Sequence, residues 1–445
     1  MAVAPYPLDQ TFLLHSNPGA DHVIYIDADG YEDWLGYSID GDATTFNDEE
    51  REQLQRMWAR VKEDFLPFDI DVTTELPDSD YLSKSFFGND QEWGIRVVIY
   101  QGPGENGGHA TVGSFDSSSD TPAWADQKGV GTGNKNLGEV ISHEVGHTLA
   151  LRHDGRELGV NDEEYYRGHG SGDIGWAPIM GIGYSRPVTQ WSKGDYASAN
   201  RQEDDLAIIA NSTNGFGYRP DDHGSTLATA TVLTPISGIA IQDDGIIERN
   251  TDKDVFKFTI GFNSPLSLTI SPAEIGPNLD IQAILYNAQG SQVAISSPAD
   301  ELGASFDLDL GPGEYYLEID GVGSTGDPVT GYDDYASLGY FSILGTMFTP
   351  LAADFNGSGG LDAGDIDYFV AGWRTSGWQT IEEQVAHGDL NLDGITDLAD
   401  AFLLRQAFLQ AGQVAILSGL FVNVPEPTSV ALLLLGIVGY RFGRR

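Results

Sequence analysis

The chain has no cysteine, so neither a disulfide nor a thiolate metal site can form, and any tetrahedral metal must be held by histidine and carboxylate. The absence leaves the compartment open. Basic residues are scarce: 23 Lys and Arg stand against 67 Asp and Glu, a formal net charge of −44. Such a field repels nucleic acid and anionic membrane surfaces, which excludes a nucleic-acid partner. It suits a chain living among divalent cations or salt, although for most of these carboxylates solubility is reason enough. Apolar runs are short. Val430 to Tyr440 is 11 residues, against the ~20 that span a bilayer comfortably. The N-terminus, MAVAPYPLDQTFLLHS, lacks a basic region followed by an apolar core and is not a recognisable signal peptide. What is present is a folded composition, 40% apolar and 11% aromatic, with 55 glycines that point to many turns and a β-rich chain. At 445 residues the chain exceeds what one core organises, and about three domains are expected.

Three of the nine histidines fall in HEVGHTLALRHD, His143 to Asp154. On a helix His143 and His147 leave the same face one turn apart. Two neutral imidazoles so placed fill two corners of a tetrahedral zinc site. Glu144 lies about 100° around the helix, beside the metal position and not on it, where a general base belongs. His153 follows His147 by six residues, so the chain must turn between them to deliver a third ligand. The bland alternative is a solvated helix that happens to carry histidines.

Around this segment the pattern interleaves strands and helices, as in an α/β layer. His22 to Asp27, Ile70 to Thr73 and Ile95 to Tyr100 read as strands, and Gly107 to Phe115 as an edge strand. Asp48 to Phe65 carries Leu54, Met57, Trp58, Val61 and Phe65 at helical spacing behind an acidic start. The zinc helix is expected over Leu137 to Leu151, capped by Asn134 or Asn136. His109 and His169 read as incidental loop or strand residues.

After a Gly-rich loop comes WAPIMGIGY, with Met180 27 residues past His153. Together with HEVGHTLALRHD this resembles the metzincin metallopeptidases, and PVTQWSKGDYASANRQEDDLAII resembles the reprolysin-related branch. The resemblance implies that His143, His147 and His153 bind one zinc, that Glu144 activates water, and that Met180 is an apolar floor beneath the metal. Asp154 is expected to hold the active-site helix by bonding back to the turn or the strand of the Met-turn. Tyr184 is a candidate for the metal or oxyanion, with aromatic packing as the alternative. One residue departs from the pattern. The family has Gly where this chain has Ala150, since the helix ends there in a left-handed turn. Ala at positive φ costs on the order of 1 kcal/mol relative to Gly. Either that strain is borne, or the helix runs on and turns at Leu151 or Arg152.

Turn residues in NSTNGFGYRPDD mark the end of the catalytic domain, taken as residues 1–218. Residues 219–348 hold short alternating strands (DVFKFTI, LSLTI, IQAILYN, FDLDL, EYYLEID) separated by Gly, Pro, Asn and Asp, an antiparallel β-sandwich. NLDIQAILYNAQGSQVAIS and LGPGEYYLEIDG resemble the pre-peptidase C-terminal domain of secreted peptidases. Asp252 and Asp254 either join a calcium site or are exposed turn carboxylates, the second being the default.

Residues 349–415 contain two short repeats, Asp354 to Asp365 and Asp389 to Asp400. Each has the spacing of a calcium loop. The first offers Asp354, Asn356, Ser358, Asp362 and Asp365 with the Gly360 carbonyl, and the second Asp389, Asn391, Asp393, Asp397 and Asp400 with the Ile395 carbonyl. Position 12 is Asp, unlike the Glu of an EF-hand, and a single helix is expected after each loop. The pair resembles a type I dockerin, which implies two Ca²⁺ ions and a cohesin-like partner. In residues 423–445, Pro425-Glu426-Pro427, the apolar run and the terminal arginines resemble a PEP-CTERM sorting signal. That implies a transient membrane anchor cut by an exosortase-type enzyme, and an exported protein at the surface of, or outside, a Gram-negative bacterium. Met1 is then expected to be a late start.

The expectation is a multidomain chain: an α/β catalytic domain, a β-sandwich, a small α-helical calcium-loop module and an apolar tail. Its function is expected to be secreted zinc endopeptidase activity on protein or peptide substrates. Two readings are left open beside it: a catalytically inactive, calcium-stabilised binding protein of the cell surface or matrix, and zinc hydrolysis of another substrate, for instance glycan-linked peptides.

Overall fold

The computed structural model describes residues 4–413 and 416, except 86–89, 236–239, 261–263, 325–328, 348–352, 359, 379–380 and 392. The sorting-signal segment 423–445 lies outside the described residues. None of the described helices is long and apolar enough to cross a membrane.

The first layer is a five-stranded sheet built from β1 (His22–Asp27), β2 (Asp71–Thr73), β3 (Trp93–Tyr100), β4 (Gly108–His109) and β5 (Ala123–Asp126), in the order β2-β1-β3-β5-β4. The first four neighbours run parallel, and β4 closes the edge antiparallel to β5. Helix α1 (Asp48–Phe65) starts at the expected residue because Asn47 and Glu50 form a reciprocal capping box. It buries Leu54, Met57, Trp58, Val61 and Phe65, and the indole of Trp58 donates to the carbonyl of Val72 in β2 (2.8 Å).

Helix α2 (Asn134–Thr148) carries the histidine motif. Its N-cap is Gly133, with no side-chain cap, so neither Asn134 nor Asn136 has the expected role; Asn136 instead donates to the carbonyl of Val130. The expected strand over Gly107–Phe115 shrinks to the two residues of β4. The cause is local: beyond His109 the chain folds into turns, and the amides of Gly113 and Phe115 cap the carbonyls of His147 and Thr148 at the end of α2.

Residues beyond Tyr218 form two facing sheets. The strands are β8 (Thr231–Val232), β9 (Ala240–Ile247), β10 (Asp254–Ile260), β11 (Ser264–Pro272), β12 (Ile281–Asn287), β13 (Gln292–Ser296), β14 (Ala304–Leu310), β15 (Gly313–Gly321) and β16 (Gly339–Met347), following β6 (Trp176–Pro178) and β7 (Val188–Gln190), which pair as a separate two-stranded parallel sheet. The orders are β8-β10-β15-β12-β13 and β9-β16-β11-β14, antiparallel except for β8 on β10. The apolar interior of the sandwich is continuous with that of the first layer. One apolar cluster runs from Ile24, Met57 and Val145 to Phe256, Ile281 and Phe341, so the chain boundary near residue 218 is not a boundary in the packing.

The last region is helical, with α3 (Ala363–Gly372), α4 (Ile381–Ala386) and α5 (Leu398–Gln410) around a separate core of Phe369, Leu390, Leu404 and Phe408. Helix α4 was not expected. Asp365 and Asp400, the last residue of each calcium-type loop, also complete capping boxes with Asp362 and Asp397.

Candidate metal centre

Helix α2 ends in a left-handed turn at Ala150, whose φ is +84°. The amide of Leu151 reaches back to the carbonyl of Gly146 (3.0 Å) and that of Ala150 to His147 (2.9 Å), the two bonds of a Schellman motif. The helix therefore stops where the resemblance places its end, and the strain at Ala150 is borne.

That turn returns the chain so that His153 meets the two helical histidines. One ring nitrogen of each of His143, His147 and His153 lies within 4.8 Å of the others. Their other nitrogens are engaged: Nδ1 of His143 donates to the carbonyl of Ile179 (2.9 Å), and Nδ1 of His147 to that of Leu151 (3.0 Å). Nδ1 of His153 is 3.2 Å from the carboxylate of Glu164. These bonds fix the tautomers and leave each Nε2 with its lone pair turned inward. Nε2 of His147 and of His153 stand 2.9 Å apart. Two facing lone pairs repel unless a cation lies between them, so the donor set fits a bound zinc. Burial holds the imidazoles in the neutral form a ligand needs, with His143 pushed down to about 3 by burial first and then by His147.

Glu144 is 5% exposed and its Oε2 has no partner. Burial pushes its carboxyl up to about 8. Strand β4 passes directly over it. A Cβ on Gly108 would lie 2.6 Å from Glu144 Oε1 and 2.5 Å from the Trp124 carbonyl, so only glycine lets the edge strand come this close. The three histidines, Glu144, Gly108 and Tyr184 all line one cavity of about 730 Å³.

Met180 is fully buried beneath the helix. Its Sδ occupies the space a side chain at Gly146 would need, 2.5 Å from that Cβ position. Asp154 meets the Met-turn through its backbone amide, which donates to the carbonyl of Met180 (2.8 Å). The carboxylate accepts from the hydroxyl of Tyr196 (3.2 Å), and burial pushes it up to about 7. Tyr184 packs against the core with its hydroxyl by Gly107, which matches the packing role. His109 stacks on Trp124 outside the ligand set. His169 is not incidental: its ring bonds the hydroxyl of Tyr166 (2.8 Å) and the carbonyl of Gly331 in the sandwich (2.6 Å).

Two residues near the ligands escaped the sequence reading, Glu164 and Tyr165. Tyr165 lies with its ring 4.3 Å from that of His153. Both sit in a loop whose register against Arg156 is fixed by the bridge to Glu163, a pairing no local pattern announces.

Both calcium-type loops curl their backbones around their carboxylates. Asp365 accepts from the amides of Asn356 and Asp362, and Asp400 from those of Leu390, Asn391 and Asp397. Asp354 and Asn356 accept from Ser358, while Asp389 and Asn391 accept from Asp393. The Gly360 carbonyl accepts from Ser358 Oγ. Ile395 of the second loop pairs with Ser376, in the segment that follows α3.

No protein-family model matches this sequence, and no curated protein does. Among solved structures, part of the chain is similar to the pre-peptidase C-terminal domain of a collagenase from Bacillus anthracis. That alignment covers 28% of this chain and 95% of the other, at 16% identity and a TM-score of 0.19. PliG, a periplasmic inhibitor of g-type lysozyme from Aeromonas hydrophila, aligns with 26% of this chain and 97% of its own at 8% identity, also with a TM-score of 0.19. Neither likeness bears on activity.

Proposed function

We propose that this chain is a zinc-dependent endopeptidase, with zinc held by His143, His147 and His153 and with Glu144 as the general base. The observation that carries the reading is the convergence of three oriented Nε2 atoms beside a buried carboxylate whose Oε2 has no partner. Zinc, when bound, supplies Lewis-acid polarisation of the scissile carbonyl and acidifies water. The chain's own residues do the rest. Glu144 takes the proton from the attacking water and returns it to the departing amine. The exposed side of β4 pairs with an extended substrate backbone and lays it across the cleft. Ile179 and Leu151 hold two imidazoles by their carbonyls, and Glu164 orients the third.

The remaining parts of the reading follow the sequence. The loops at Asp354–Asp365 and Asp389–Asp400 bind two Ca²⁺ ions in a module that takes a cohesin-like partner. The tail directs export and is removed by an exosortase-type enzyme, leaving the protein outside the cell or at its surface.

The test is cleavage of casein by purified protein. The reading expects hydrolysis that a zinc chelator abolishes and added zinc restores. Zinc-loaded protein that binds the substrate without cutting it would favour the inactive binding protein instead.

A further inference from the structure

Two arginines line the cavity that holds the three histidines: Arg152, on the turn after α2, and Arg201, on the segment after β7. Both lie on the side formed by His153. Arg152 precedes that ligand in the chain, and Arg201 follows Asn200, whose side chain accepts from the amide of Gly155 (2.8 Å). The other end of the cavity is lined by Glu139, Val140 and Tyr184. From Glu139 to His147 the lining face of α2 runs about 12 Å.

The two backbones are fixed beside each other. The amide of Arg152 donates to Glu203 Oε1 (2.8 Å), just past Arg201. The amide of Glu157 donates to the carbonyl of Ser198 (2.8 Å), and that of Asn200 to the carbonyl of Gly155 (3.2 Å). Gly194, at φ +80°, lets the loop double back: a Cβ there would stand 2.1 Å from the carbonyl oxygen of Arg201.

The side chains, by contrast, are exposed and uncommitted. Elsewhere Arg96 pairs with Asp27 and Asp120, Arg156 pairs with Glu163, and Arg186 donates to the carbonyls of Gly168 and Gly170. Among the described residues, neither Arg152 nor Arg201 has an ion pair, a hydrogen bond from its guanidinium or an aromatic ring beneath it, in a chain with 67 acids. The acids on the adjoining segments are engaged, Glu203 by the amide of Arg152 and Glu164 by His153.

We propose that Arg152 and Arg201 are specificity-determining residues that bind a carboxylate of the substrate on the His153 side of the metal centre, which rests on the peptidase reading. A guanidinium offers its N–H donors in a fork that matches a carboxylate. The net charge of −44 opposes an acidic substrate at long range, but salt screens that field over about 10 Å at 0.1 M, so the cations in the cleft decide binding. The carboxylate is that of an Asp or Glu side chain near the scissile bond, or that of the C-terminus of a short peptide.

The experiment compares kcat/KM on two sets of peptides, with zinc-loaded wild type and the double variant Arg152→Gln, Arg201→Gln. In one set, capped at both ends, a single Glu is walked past the scissile bond beside its Gln counterpart. In the other, a neutral peptide is supplied as free acid and as amide. At one position Glu is expected to exceed Gln, or the free acid its amide, by about tenfold. The ratio should shrink at high salt and fall to about one in the double variant. Preference for Glu assigns a side chain, and preference for the free acid assigns the chain end. No preference in either set, or one that the double variant keeps, overturns the proposal. If no peptide is cut, the peptidase reading fails, and isothermal titration of the same peptides decides about the arginines. Tighter binding of the carboxylate form by wild type, lost in the double variant, supports the site; equal affinities overturn it.

Discussion

The hydroxyl of Ser142 donates to the carboxylate of Asp64 at 2.6 Å, which fastens the residue preceding His143 to helix α1. The other oxygen of Asp64 takes the side-chain amide of Asn278 (2.8 Å), and the next carboxylate, Glu63, takes the amide of Tyr340 (3.0 Å). Helix α2, helix α1 and the sandwich are thus joined through two adjacent buried acids.

Burial raises Asp64 to about 7, against an ordinary 3.8, with bonds from Asn278 and Ser142 opposing the rise. A raised acid binds its proton more tightly when folded. Its stabilising effect is therefore full below about pH 4 and is lost as pH climbs through about 7. Asp64→Asn should flatten the fall in stability across that window. Urea unfolding of wild type and variant at several pH values measures this.

The shared apolar cluster joins the sandwich to the layer that carries the three histidines. A fragment ending at residue 218 exposes the faces that Phe256, Ile281 and Phe341 cover and leaves Glu63 and Asp64 without Tyr340 and Asn278. It should show no cooperative thermal transition, whereas a fragment ending at residue 347 should show one near that of the full chain.

Gly108→Ala places a methyl where Glu144 Oε1 now lies. The edge strand must move off the base, and a displacement of about 1 Å costs on the order of 10²-fold in rate. Peptidase kcat/KM should fall by about that factor while zinc content, measured on the same samples, stays unchanged.

Ala150→Gly relieves the left-handed strain at φ +84°. The gain should be about 1 kcal/mol in urea unfolding, with no change in zinc stoichiometry.

The convergence of His143, His147 and His153 was legible because it depends on spacing along one helix plus one turn. Helix α1 was legible to the residue because Asn47, Glu50 and its apolar stripe agree. The four-residue strand Ala123–Asp126 is too short to show a period, and α2 begins on Gly133 although better capping side chains stand beside it. The ties through Asp64, Asn278, His169 and Gly331 join residues more than 100 positions apart, and no periodicity encodes them. Burial of Glu248 and Asp254 was hidden for the same reason, since acidic residues in a turn look solvated until a second segment covers them.

Glu144, as the proposed base of a zinc peptidase, is tested most directly by casein hydrolysis with wild type and Glu144→Gln, each carrying one zinc by elemental analysis. Removing the base should lower the rate of the variant by about 10²–10⁴-fold. A zinc-loaded variant that cuts at near the wild-type rate would contradict it.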